Sequence, residues 1–418
     1  MLNRMYSFSI YCFSILVRIA AFFGNIKAKR LADGQKQVWK ELKDSLQPDE
    51  RRVWIHCASV GEFEQGRPLM EDIRAQFPQF KILVSFFSPS GYELRKNYNG
   101  ADYVFYLPFD TRRNARRFVQ LANPEIIYFV KYEFWRNYLK EIKRRQIPLF
   151  LVSAIFRPEQ AFFKWYGGWY RNLLTSFTHF FVQNELSKDL LNGINFTNVT
   201  VTGDTRFDRV CRIFDQKKSV QEVEQFVNGM PCIVAGSTWL PDEEILTRYI
   251  NTENHNLKWI IAPHELHENQ INRLIESIKV KTVRYSHLLK SDTADYQVLI
   301  IDNIGMLSSL YRYGTVAYIG GGFGKGIHNT LEAAVYGIPV FFGPTYKKFQ
   351  EAVDLVKSGG AFTVRNYDEF AYQFNNLLNN PDKVQKAGII AGDFVALGRG
   401  ATAKVIKESL SLDYSSII

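Results

Sequence analysis

The chain reads as short apolar runs set between amphipathic stretches. Residues 53–57, 81–87, 103–106, 126–130, 149–153, 179–183 and 199–203 are near-continuous apolar segments of strand length. Helix-like segments fill most of the gaps. A strand buried on both faces shows no polar alternation, so this pattern predicts a parallel sheet covered by helices. A polar stretch, 204–230, interrupts the series. A second series follows at 232–236, 258–262, 298–301, 316–319 and 340–342. The expected fold class is α/β, with two doubly wound Rossmann-like domains facing a cleft and an N-terminal hydrophobic helix. The expected boundaries are 1–24 for that helix, 40–208 for the first domain, 209–230 for a linker, 231–395 for the second domain and 396–418 for a C-terminal segment. Ligands of such sheets sit beyond the carboxyl ends of the strands.

The N-terminus departs from this rhythm. Residues 5–21 are mostly apolar, with Arg18 the only charge, and Lys27, Lys29, Arg30, Lys36 and Lys40 follow. A span needs roughly twenty apolar residues, so the segment is marginal for crossing a bilayer. Basic residues after it favour the cytoplasmic, anionic leaflet. A signal peptide fits less well, because no small-x-small cleavage site precedes a polar start. The segment is expected to be a membrane anchor or interfacial helix, with a helix packed on the protein as the other reading.

Composition narrows the chemistry. The 418 residues are 46% hydrophobic, enough for two cores. Cys12, Cys57, Cys211 and Cys232 show no CxxC spacing, which argues against a disulfide framework or zinc site. The formal net charge of +10 points to an acidic partner: nucleic acid, anionic lipid or a phosphorylated substrate. Basic residues cluster at Arg112, Arg113, Arg116 and Arg117, and at Lys140, Lys143, Arg144 and Arg145, on expected helices. Each cluster is either a solvated face or an attraction to anionic lipid. Phe162, Phe163, Trp165, Tyr166, Trp169 and Tyr170 form an aromatic patch that reads as a core helix or as an interfacial or acyl-chain contact.

Residues 319–344 carry the densest signal: a strand, a glycine-rich loop, a helix start, a strand and a turn. The loop is not a Walker A motif. Ile319 stands where its first glycine belongs, and Gly326 stands where Ser or Thr would hold magnesium. It also comes too late in the chain for a hydride-transfer fingerprint. It reads as a site for a nucleotide mono- or diphosphate. Gly321, Gly322 and helix N–H groups are expected to face a phosphate. Glu332 is expected to accept from both ribose hydroxyls, or else to form a capping box with Asn329.

Three other loops follow expected strands. Gly236-Ser237-Thr238 can bind phosphate oxygens or simply cap the helix that begins near Asp242. His264 and His267 are spaced HxxH, not HExxH, and no carboxylate or cysteine cluster completes a metal site, so none is expected. His264 reads instead as a nucleotide contact. Ser59, Gly61 and Glu62 follow the opening strand, where Glu62 is either a general base or a first-turn carboxylate facing the helix dipole.

Taken together, these loops resemble the Kdo transferases, which attach 3-deoxy-D-manno-octulosonic acid to a lipid A precursor. The resemblance covers nearly the whole chain. It is carried by Ser59-Val60-Gly61-Glu62, Ser88-Pro89-Ser90-Gly91, Tyr106-Leu107-Pro108-Phe109-Asp110, Glu133-Phe134-Trp135, Gly203-Asp204-Thr205-Arg206-Phe207-Asp208, Gly236-Ser237-Thr238-Trp239, and His328-Asn329-Thr330-Leu331-Glu332 through Gly343-Pro344. It implies the glycosyltransferase B fold, CMP-Kdo as donor and metal-independent inverting transfer with no cofactor. It further implies an anionic lipid A precursor as acceptor, no nucleic-acid partner, and the cytoplasmic face of the inner membrane. By motif, Glu62 takes the general-base position. Gly236, Ser237, Thr238, His264, Gly321, Gly322, His328, Asn329 and Glu332 fall to the donor, and Ser59, Gly61, Glu133 and Arg206 to the acceptor. Three positions depart from the family pattern. Pro263-His264 lacks the usual intervening arginine, Lys131 replaces a common acid, and Arg206 replaces a common lysine. Two rivals stay open: another B-type enzyme using a UDP-sugar, as transferase or epimerase, and a non-enzymatic basic protein that binds membranes.

Overall fold

The computed structural model describes residues 2–216, 219–253, 256–288 and 295–410. The chain forms two compact units, one ending at Arg209 and resuming at Gly400, the other spanning Val210–Arg399.

The first unit opens with two helices, α1 (Leu2–Phe22) and α2 (Ile26–Ser45). Its strands are β1 (Arg51–His56), β2 (Phe80–Phe86), β3 (Tyr103–Tyr106), β4 (Ile126–Val130), β5 (Leu149–Ala154), β6 (His179–Val182) and β7 (Val199–Val201). All pair in parallel, in the order β3-β2-β1-β4-β5-β6-β7. The chain winds outward from β1 on one side and from β4 on the other. Loops leaving the carboxyl ends of β1 and β4 therefore diverge at a switch point, where His56 is in register with Phe129. Helix α3 (Val60–Gln76) starts directly beyond β1.

The second unit repeats the plan with β8 (Cys232–Thr238), β9 (Lys258–Pro263), β10 (Thr282–Arg284), β11 (Val298–Ile300), β12 (Val316–Ile319), β13 (Val340–Phe342) and β14 (Ala361–Thr363). Its parallel order is β10-β11-β9-β8-β12-β13-β14, with the switch between β8 and β12. Every strand expected from an apolar run is present. The short strands β10 and β14 were not expected; Thr282-Val283-Arg284 and Ala361-Phe362-Thr363 are three residues each and partly polar, so neither stands out as an apolar run.

Residues 209–230, read as a linker, are largely helical. The helix Thr205–Asp215 runs through the boundary, and the helix Gln221–Val227 buries Val223, Phe226 and Val227. The helix Pro381–Leu397 closes the second unit just past the boundary expected at 395, and in the C-terminal segment the helix Ala401–Leu410 rejoins the first unit. There Val405 and Ile406 enter the core beside β1, β2 and β4. Residues 411–418 lie outside the described residues.

Among the described residues, α1 is the one helix long and apolar enough to cross a membrane. One of its faces is packed on the first unit. Val17 is buried, Phe13 meets Phe109 edge-on at 5.8 Å, and the Tyr6 hydroxyl donates to Asp110 Oδ2 at 2.6 Å. The opposite face exposes Leu2, Met5, Phe8, Ile15, Ile19 and Phe22.

Candidate active site

In the first unit the polar residues gather where β1 and β4 end. Ser59 has extended backbone and caps α3, its Oγ accepting the Glu62 N–H at 3.4 Å. Glu62 reaches back in turn, its Oε2 accepting the Ala58 N–H at 2.5 Å. The first-turn role of Glu62 is thus real, yet it occupies one oxygen only. Burial, and next the neighbouring Glu133 carboxylate, push the Glu62 carboxyl up from 4.5 to about 7. The Ala58 N–H, the Lys131 ammonium and the Ser59 backbone oppose that rise. A carboxyl tuned to the neutral range is suited to take a proton from a hydroxyl. Gly61, beside it, is exposed, and a side chain there would meet nothing closer than Ser59 Oγ at 4.0 Å.

Glu133 is held more tightly than its acceptor assignment suggested. It is buried, accepts the Trp135 indole N–H, and lies 3.2 Å from His56 Nε2. His56 in turn lies 2.8 Å from Ser85 Oγ, which accepts the Trp54 indole N–H at 2.7 Å. Glu133 therefore anchors a buried polar chain and presses its charge on Glu62. Arg206 is likewise engaged: Asp204 Oδ2 accepts from its Nε at 2.9 Å and its Nη2 at 2.7 Å. Burial would raise the Asp204 carboxyl, but Arg206 outweighs it and holds Asp204 below the usual range. Asp110, in a motif quoted above, is a buried cap for the helix Arg136–Arg144, accepting the Asn137 and Tyr138 N–H groups at 3.0 Å.

In the second unit the loops after β8, β9 and β12 converge. Asp242 ties the loops after β8 and β12 together. Fully buried, it accepts the Trp239 N–H at 2.9 Å, the Gly321 N–H at 2.8 Å and the Tyr318 hydroxyl at 2.9 Å. The Gly321 N–H is thus spent on Asp242 and is not free for a phosphate, which corrects that expectation. Gly322 also answers to packing: a Cβ there would lie 2.5 Å from the Gly343 nitrogen. Gly236 is similarly close to Tyr311, whose hydroxyl a Cβ would meet at 2.0 Å. The helix expected after the glycine loop is a single turn, Leu331–Ala334. Thr238 is buried and donates to Glu243 at 3.1 Å.

What remains presented is a cluster of side chains. Ser237 sits half-buried in a left-handed conformation, φ 53°, at a bulge in β8. His264 is exposed and stacks between rings, 4.6 Å from Trp239 and 4.3 Å from His328. The Trp239 indole N–H donates to His328 Nε2 at 3.1 Å, which leaves the His328 proton on Nδ1. Burial, then the neighbouring His264, lower His328 to about 4, so it is neutral at pH 7. Asn329 Oδ1 accepts the Leu331 N–H at 3.1 Å while its Nδ2 donates to Glu332 Oε1 at 3.0 Å. Glu332 is therefore oriented at least by the Asn329 side chain. Among the described residues no group of His, Cys, Asp or Glu could hold a metal ion.

Sequence reasoning assigned no role to Asp242 as a clamp, to Lys131 as a charge facing Glu62, or to His56 within the buried chain. Each left a trace of another kind: His56 as a polar residue inside an apolar run, Lys131 as a departure from the family pattern and Asp242 as a helix-start carboxylate.

Residues 27–209 match the family model described as 3-Deoxy-D-manno-octulosonic-acid transferase (kdotransferase). The 3-deoxy-D-manno-octulosonic acid transferase of Aquifex aeolicus (strain VF5) is 27% identical over 345 residues, 81% of this chain and 89% of that protein. That of Haemophilus influenzae is 24% identical over 381 residues, 86% of each. Residues 27–209 thus carry the Kdo transferase domain, and relatives named Kdo transferases are similar to the chain along about 80% of its length. Kdo transferases are glycosyltransferases, and the matches span both units. The crystal structure of UDP-GlcNAc 2-epimerase from Neisseria meningitidis bound to UDP-GlcNAc covers 86% of this chain and 99% of its own, with a TM-score of 0.58 and 17% identity. That likeness concerns the fold alone and is of the glycosyltransferase B kind.

Proposed function

We propose that this protein transfers Kdo from CMP-Kdo to a lipid A precursor in lipopolysaccharide core biosynthesis, with Glu62 as general base. The observation that carries the reading is the Glu62 carboxyl, half-buried at the start of α3 and pushed up to about 7. The acceptor hydroxyl gives its proton to Glu62 as its oxygen bonds to the anomeric carbon. The bond to the phosphate oxygen breaks on the opposite face, and CMP leaves. Ser237 and the neutral imidazoles of His264 and His328 donate hydrogen bonds to the phosphate as charge grows on it, a role that their clustering beyond β8, β9 and β12 supports. Glu332, with Asn329 beside it, offers acceptors to the ribose hydroxyls. The exposed apolar face of α1 supports association with the cytoplasmic face of the inner membrane, as an interfacial helix.

Incubating purified protein with CMP-Kdo and a tetraacylated lipid A precursor, then weighing the products by mass spectrometry, tests the reading. Product gained from CMP-Kdo and none from UDP-sugars is expected. Turnover of a UDP-sugar in place of CMP-Kdo would assign a different donor, and no turnover of either would favour a binding protein.

A further inference from the structure

The first unit carries two basic clusters, and they differ in kind. In the helix Arg136–Arg144 and its cap, Arg144 and Arg145 both pair with Glu141 at 2.7 Å, and Lys143 donates to Thr175. That cluster is largely neutralised from within. The helix Arg112–Ala122 contains no acidic residue. Its Arg112, Arg113, Arg116 and Arg117 form no ion pair among the described residues. Their spacing sets 112 against 116 and 113 against 117, two like-charged i, i+4 pairs that destabilise a helix. Arg112 and Arg113 also occupy the first turn, where the dipole favours anions. The Arg117 guanidinium is held over the Trp39 ring, 4.3 Å from its centroid. Together with Gln120 the four arginines line a concavity of about 420 Å3. Such a helix is at odds with its own charges until an anion neutralises them.

The neighbouring elements point to the anion. α1 rests on the loop that leads into this helix, through Tyr6 on Asp110 and Phe13 on Phe109. Trp39, beneath Arg117, belongs to α2. The exposed apolar face of α1 suits an interfacial helix, and α1 is joined through this loop to the arginine helix. We propose that the Arg112–Arg117 concavity is a binding site for the phosphate groups of anionic phospholipids. Guanidinium forks match phosphate oxygens in both charge and geometry. The site rests on the membrane-associated reading given above, and it is separate from the residues assigned to donor and base.

The test uses the full chain. Wild type, the quadruple variant Arg112→Gln/Arg113→Gln/Arg116→Gln/Arg117→Gln, and the control Arg144→Gln/Arg145→Gln are floated with vesicles at low salt. One set of vesicles is phosphatidylcholine alone, the other phosphatidylcholine mixed with phosphatidylglycerol. Phosphatidylglycerol should strengthen wild-type binding, and about fivefold of that gain should disappear per arginine removed. The control should keep it, and binding to phosphatidylcholine alone should be equal in all three. If the quadruple variant does not fold by thermal melting, Arg113→Gln and Arg116→Gln singly carry the test, at about fivefold each. An unchanged phosphatidylglycerol gain in the variants overturns the proposal. So does unchanged vesicle binding with lost turnover on detergent-dispersed acceptor, which would make the arginines acceptor contacts. Failure of the proposed reaction shows separately, as wild-type protein without turnover.

Discussion

At the scale of single residues, Glu62 decides most. Glu62→Gln should keep donor binding and lower turnover by roughly 10²–10⁴-fold, the range for a lost general base. Wild-type activity should rise with pH through about 7, because the base must be ionised and burial with Glu133 resists that. Lys131 opposes the rise, so Lys131→Met should move the rising limb of the pH–rate profile to higher pH, and Lys131→Arg should restore it. A profile unmoved by Lys131→Met would remove Lys131 from the tuning of the base. Stability follows the same group. The carboxyl is neutral in folded and unfolded chains below pH 4.5, and the folded chain must bear a buried charge as pH passes about 7. Stability is therefore lost across that window, by at most about 3 kcal/mol. Denaturation of Glu62→Gln at pH 5 and pH 8 should show that part of the loss missing. The sequence marked Glu62 as a carboxylate after a strand. It held no sign of Glu133 pressing on it, because that contact joins loops from two strands far apart in the chain.

At the scale of elements, α1 and the glycine loop are the places where packing changes the reading. Hydropathy alone described α1 as marginal for a span, and the fold gives it a packed face and an exposed apolar face. Deleting residues 1–24 should release the protein from membranes at high salt, with residual salt-screened binding to anionic vesicles through the basic clusters, and should leave activity on detergent-dispersed acceptor, since no proposed donor, acceptor or base residue lies there. It should also lower the melting temperature, because Phe109 and Asp110 lose Phe13 and Tyr6. Flotation of both forms at high salt checks the first part, and equal flotation would place the anchor elsewhere. The glycine loop was read for its ligand, whereas Asp242 and Gly343 account for Gly321 and Gly322. Asp242→Asn removes an acceptor from a clamp that takes three hydrogen bonds. The variant should lose about 1–3 kcal/mol of stability, the usual cost of an unsatisfied buried donor. Glu332→Ala should weaken CMP binding in calorimetry with little change in melting. Unchanged affinity with a lowered melting temperature would leave Glu332 a structural partner of Asn329.

For the whole molecule, the two sheets were legible and the path of the chain between them was not. Runs such as 126–130 and 149–153 are apolar throughout because parallel strands are covered on both faces, and that requirement is written locally. The return of the chain is not. Asp208 accepts the Gly400 N–H at 2.6 Å, the Thr402 N–H at 2.7 Å and the Thr402 hydroxyl at 2.6 Å, fixing the last helix to the first unit. Asp208→Ala should therefore destabilise the first unit by roughly 2–4 kcal/mol, as bonds to a buried charged acceptor are lost. A chain ending at residue 209 should fold poorly unless residues 400–410 are supplied. Chemical denaturation of both checks the claim, and a cooperative, wild-type-like transition in either would show that the C-terminal helix is dispensable.

The sequence by itself determined the α/β class, twelve of the fourteen strands among the described residues, and the loops that hold the candidate chemistry. These depend on local apolar pattern and on motif order, which a linear chain displays. Tertiary structure decided which charges face Glu62 and which glycines serve packing. It also decided which basic cluster is neutralised and to which unit the last helix belongs. Each of those rests on contacts between distant segments, where burial and the field of a neighbour set the behaviour of a side chain more than its identity does.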